Sequence, residues 1–127
     1  MKYKEYVKMF KHLLSRLGIN ADLKGYQYMA FVCTEIMTYS SDLSRTFQKL
    51  TMKSLYQRAA VKYGTKPKNV ENRIYDAIKK IFSQGNCDFL EEIFGFSISP
   101  KTGIATNKVF IIGLCNYINN YADDVSI

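Results

Sequence analysis

A chain of 127 residues that is 47% hydrophobic has the length of one domain and enough apolar material for a real core. No apolar run approaches the roughly 18 residues needed to cross a bilayer, and the basic start "MKYKEYVKMFKHLL" follows a helical period, so membrane-spanning and secreted classes are excluded and a cytoplasmic protein is expected. The formal charge of +7 is unevenly placed, net +4, +3 and +3 over residues 1–24, 25–63 and 64–85 but −3 over 86–127, which suits a polyanionic partner.

In "KEYVKMFKHLLSRLG" the residues Tyr6, Phe10, Leu13, Leu14 and Leu17 recur at three- and four-residue steps, and Gly18 stops that helix. "GYQYMAFVCTEIMTYSS" is apolar around much of its circumference through Tyr28, Met29, Phe31, Val32, Cys33, Ile36 and Met37. That pattern predicts a helix in the middle of a bundle, with its lone acid Glu35 at an edge or paired. "DLSRTFQKLTMKSLYQRAAVKYG" predicts a short helical turn through Leu43, Phe47 and Leu50, then a helix from about Met52 to Tyr63 closed by Gly64. Thr65 is placed to cap the next helix, and Pro67 falls in its first turn, where a missing N–H costs nothing.

Val70, Ile74, Ala77, Ile78, Ile81 and Phe82 make the inner stripe of that helix, which "SQGN" ends. "CDFLEEIFG" predicts a short helix, and "FSISPKTGIA" a loop or small extended ribbon whose "FSISP" is the best strand candidate. "TNKVFIIGLCNYINNYA" predicts a last helix, opened by Thr106 and burying Phe110, Leu114, Tyr117 and Ile118. The expected fold is therefore all-α: a six-helix domain over residues 1–127 with an embedded helix–turn–helix and one irregular loop.

Little here suits catalysis. Cys33, Cys87 and Cys115 are odd in number and lack a CxxC, which predicts reduced core thiols rather than disulfides or a metal site. His12 is the one histidine, expected at the surface or boundary of the first helix. Glu91–Glu92 on a short helix and Asp123–Asp124 in the tail do not make a general acid/base pair. With no nucleophile motif and no phosphate-cradling glycine loop, no enzyme activity, cofactor or metal is expected.

The stronger signal is the order helix, glycine-containing turn, helix over residues 52–63 and 66–82. In such units the second helix enters the DNA major groove, and its N-terminal outward residues meet base edges. Inner positions 70, 74, 77, 78 and 81 leave 68, 69, 72, 75, 76 and 79 outward, with Glu71 at the border. The base-reading candidates are Lys68, Asn69, Glu71, Asn72 and Tyr75. Asparagine pairs with adenine, lysine favours guanine, glutamate accepts from cytosine N4, and a tyrosine ring packs on the thymine methyl or reaches a phosphate. Lys62, Thr65, Lys66, Lys79 and Lys80 are the phosphate candidates. Asp76 would repel a phosphate, so it is expected to face a base, a basic neighbour or solvent. The same pattern also fits an ordinary solvated helix pair.

Several stretches carry a resemblance. "LGINADLKGYQY", "LYQRAAVKYGTKPKNVENRIYDAI", "SQGNCDFLEEIFGFSIS" and "ATNKVFI" are, in this order and without a gap across the helix–turn–helix, similar to the C-terminal effector domain of the master sporulation response regulator of endospore-forming Firmicutes. The resemblance runs from about Leu13 to Tyr117. It implies a six-helix fold and binding to short double-stranded DNA boxes, often by copies arranged head to tail. The family's reading helix is rich in arginine, where this chain has Asn69, Asn72, Tyr75 and Asp76; Glu71 matches a family glutamate. The resemblance thus implies a changed base preference. The stretch before the helix–turn–helix is a few residues longer than in the family, and the family's receiver domain has no counterpart after Met1, so a stand-alone effector domain is expected.

Two functions follow from these readings. One is a sequence-specific regulator bound to double-stranded DNA. The other is a protein-interaction module or antagonist that keeps the fold, has lost specific DNA binding and pairs with a partner such as a full-length regulator. Single-stranded nucleic-acid or RNA binding by the ten tyrosines and eight phenylalanines is disfavoured, because most of them fall at core phases of helices.

Overall fold

The computed structural model describes residues 1–95 and 106–121. Among them seven helices follow one another: α1 (Tyr3–Arg16), α2 (Lys24–Tyr39), α3 (Leu43–Lys49), α4 (Met52–Tyr63), α5 (Pro67–Gln84), α6 (Cys87–Phe94) and α7 (Asn107–Tyr121). The all-α expectation holds. The loop-or-ribbon reading of "FSISPKTGIA" and the Asp123–Asp124 pair lie outside the described residues.

The apolar periods of the sequence become the buried faces. Tyr6, Phe10, Leu13, Leu14 and Leu17 all face the core from α1 and its end. α2 packs against α1, α3, α4, α5 and α7, which is why its sequence is apolar on most sides. Its acid Glu35 is at the edge and accepts from Arg58 Nη1 on α4 at 3.3 Å.

The expected helical turn is a full seven-residue helix, α3, which raises the helix number to seven. Its first turn is held by Asp42, whose side chain accepts from the Arg45 N–H. Thr46 then anchors it from within the core. Its hydroxyl donates to the Ser40 carbonyl at 2.9 Å and lies 3.4 Å from that of Ile36, both at the end of α2. A helix of this length lacks independent stability, so these ties to α2 decide its form.

The thiols need a partial correction. Cys33 and Cys115 are buried, and burial pushes the Cys33 thiol well above its ordinary pKa. Cys87 is exposed, because it opens α6 on the solvent side rather than lining the core. His12 is at the boundary, half-buried.

Candidate nucleic-acid interface

The turn between α4 and α5 is set by two residues. Gly64 adopts φ +65°, a left-handed conformation that costs a side-chain-bearing residue energy, and it ends α4 with its N–H on the Ala60 carbonyl. The Thr65 N–H reaches the same carbonyl at 3.0 Å. Pro67 then starts α5 with its φ already suited to a helix. Thr65 is not the cap that the sequence suggests. Lys66 occupies the cap position without a side-chain cap bond, and the Thr65 hydroxyl instead accepts from Asn69 Nδ2 at 2.9 Å. The proline moved the helix start one residue along, leaving the threonine hydroxyl facing the first turn.

α5 is anchored by Val70, Ile74, Ala77, Ile78 and Ile81, all buried. α4, whose buried residues are Leu55, Tyr56, Ala59 and Ala60, packs against this helix and against α2. A third support comes from far along the chain. Asn107, the first residue of α7, is buried, and its Nδ2 donates to Tyr56 Oη on α4 and to the Glu71 carbonyl on α5, both at 3.1 Å. One side chain thus ties both helices of the unit to α7.

With the inner stripe held, the opposite face is presented to solvent. Lys68, Asn72 and Tyr75 are exposed, while Asn69 and Glu71 are half-buried. Asn69 is tied back to Thr65, and Glu71 accepts from Lys68 Nζ at 2.9 Å. Asp76 is half-buried and faces a basic neighbour, accepting from Arg73 Nη1 at 3.3 Å. Each acid of α5 is therefore partnered by a cation three residues earlier.

Of the phosphate candidates, Lys62, Lys66, Lys79 and Lys80 are exposed and Thr65 is half-buried. Lys79 Nζ lies 5.3 Å from the Tyr75 ring centroid, and Lys62 Nζ lies 5.8 Å from that of Phe31. All four lysines are without a carboxylate partner among the described residues.

A groove runs along each flank of α5. One, of about 680 Å³, is lined by Lys53 and Tyr56 of α4, Asn72 and Tyr75 of α5, and Asn107 and Lys108 of α7. The other, of about 420 Å³, lies against the first turn of α2 and is lined by Lys24, Gly25, Arg73, Asp76, Lys79 and Lys80. Sequence reasoning missed Lys24, Arg73, Lys53, Lys108 and Asn107. Arg73 had a local signal, since it is seven residues from Lys80 and so shares its flank. The others come from elements distant in the chain.

A convex helix set on a buried stripe, joined by a three-residue turn to its supporting helix and bordered by lysines, defines a helix–turn–helix DNA-binding domain. The family model described as "Sporulation initiation factor Spo0A C terminal" matches residues 10–118, a span that includes the whole of α2 to α6. The chain belongs to that family, and it is a DNA-binding effector domain of the sporulation-regulator type. No described helix is long and apolar enough to cross a membrane.

Proposed function

We propose that this chain is a sequence-specific, double-stranded DNA-binding transcription regulator acting in the cytoplasm, with a base preference of its own. The observation that carries this reading is the division of α5 into a fully buried stripe and an exposed face bearing Lys68, Asn72 and Tyr75. Asn72 and Tyr75 are the principal base contacts, Lys68 and Glu71 act as a coupled pair, and Asn69 helps from its tie to Thr65. Lys62, Thr65, Lys66, Lys79 and Lys80 hold phosphates. Asn69 and Asn72 stand where the family has arginines, and their amides suit adenine rather than guanine, which favours A·T pairs at those two positions. Two copies arranged head to tail on tandem boxes belong to the same reading, since the α4–α5 side is basic and α6 carries Asp88, Glu91 and Glu92.

Selection of preferred duplexes from a random library tests this. An enriched motif is expected. Asn72→Ala should then weaken binding to that motif more than to random duplex, whereas Lys66→Ala should weaken both about equally, with a shallower salt dependence. The competing reading, an interaction module that pairs with a full-length regulator, draws support from Asp76 on the outward face. It would be favoured by a flat selection together with no duplex binding at low salt.

A further inference from the structure

We propose that the groove between the first turn of α2 and the middle of α5 seats the sugar–phosphate backbone of one DNA strand, held by Arg73 and Lys24 beside Lys80, with Asp76 as a built-in opposing charge. This rests on the reading of α5 as the major-groove helix. The major groove is about 12 Å wide and a helix with its side chains about 10–12 Å across, so an inserted helix fills the groove and its flanks approach the bordering strands. Whatever lies beside α5 on a flank therefore meets phosphate.

On the α2 flank the lining is unusually basic. Lys24, Arg73, Lys79 and Lys80 face one carboxylate, that of Asp76. Their proximity is built into the packing. A Cβ added at Gly25 would collide with the Arg73 carbonyl oxygen and lie 2.8 Å from the Ala77 Cβ, so only glycine lets the start of α2 rest on the α5 backbone. That contact places Lys24, next in the chain, alongside Arg73. The end of α2 brought there is its N-terminal, electropositive end, and its cap residue Leu23 provides no side-chain acceptor.

Asp76 supplies the control. In the free protein it holds Arg73 at 3.3 Å, and both side chains are about half exposed, 52% and 48%. A pair so open to water is weak and exchangeable. A phosphate offers the guanidinium a bidentate acceptor, so Arg73 exchanges Asp76 for the backbone on binding. The released carboxylate then lies beside the duplex and lowers the affinity of every complex, selected or random. Arg73 and Asp76 together set how tightly the strand is held, whatever its sequence.

Fluorescence anisotropy over a salt series, with the selected duplex and a random one, tests the proposal. Arg73→Ala and Lys24→Ala should each weaken both duplexes by a similar factor and flatten the slope of log K against log salt by about 0.9. Asp76→Asn should tighten both by a similar factor. Circular dichroism establishes that each variant is folded, and Arg73→Lys should retain the slope. A folded Arg73→Ala protein with an unchanged slope, or with a loss confined to the selected duplex, would overturn the assignment. If Lys66→Ala still weakens binding in that case, the DNA-reading role of α5 stands and only the strand seat falls. A wild-type chain that binds no duplex at low salt overturns both.

Discussion

The two longest helices, α2 and α5, solve opposite problems. α2 has 16 residues and buries ten of them; α5 has 18 and buries five. α2 is surrounded by other helices and has little surface left to offer a ligand. α5 concentrates its apolar residues on one stripe, so the side that holds it in the domain and the side that can meet a partner are separate. The comparison teaches how a small domain makes a rigid reading surface: a helix buried along most of its length forms the base, and a half-buried one is laid on it. Their junction at Gly25 has no room for a side chain.

Core and face of α5 should be separable by mutation, and the largest effect lies on the core side. Ile74→Ala removes a fully buried side chain and should cost about 2–5 kcal/mol in denaturant unfolding. Asn72→Ala, two residues away and exposed, should stay within about 0.5 kcal/mol of wild type. Equal costs would break the two-sided picture.

The junction comes next. Gly25→Ala forces backbone against backbone between α2 and α5 and should destabilise by about 1–3 kcal/mol. Gly113→Ala is a useful contrast, since the atoms it would meet belong to the Phe94 ring, a side chain that can turn aside. An effect smaller at 25 than at 113 would deny the junction its rigidity.

Asn107→Ala should cost about 1–3 kcal/mol, because Tyr56 Oη and the Glu71 carbonyl lose a buried donor. Faster amide exchange in the α4–α5 turn, measured alongside, would show that α7 steadies the unit as well as the core.

The smallest effect concerns the edge of α2. The Tyr3 pKa is pushed up to about 12, first by burial and then by the charge of Glu35. The folded state keeps the phenol neutral where the unfolded chain has begun to ionise, so this contribution is intact below pH 10 and lost as pH rises from 10 to 12. Tyr3→Phe should therefore show a shallower fall in stability over that window than wild type. Since Tyr6, Tyr56 and Tyr63 are also raised, part of the alkaline loss should remain.

Much of the fold was readable because helices announce themselves locally. The stripe of α5 and the Gly64–Pro67 turn depend on neighbours within a few residues, and they stand where the periodicity put them. α3 is longer than its local pattern suggests because its stability comes from Thr46 reaching the end of α2, and Cys87 escapes the core although burial of a small residue leaves no local pattern to say so. Within the candidate site, outwardness was legible for Lys68, Asn72 and Tyr75. The ties that half-bury Asn69 and Glu71 were not.

The order of residues by itself determined that this protein is helical, where its helix–turn–helix lies and which side of α5 faces out, since those properties follow from a 3.6-residue period and from the φ preferences of glycine and proline. Only the tertiary structure decided what stands beside that face. Asn107 reaches Tyr56 and Glu71 from 51 and 36 residues away, and Lys24 joins Arg73 because Gly25 lets two backbones touch. Contacts between such distant positions are set by how helices pack, and no local periodicity encodes them.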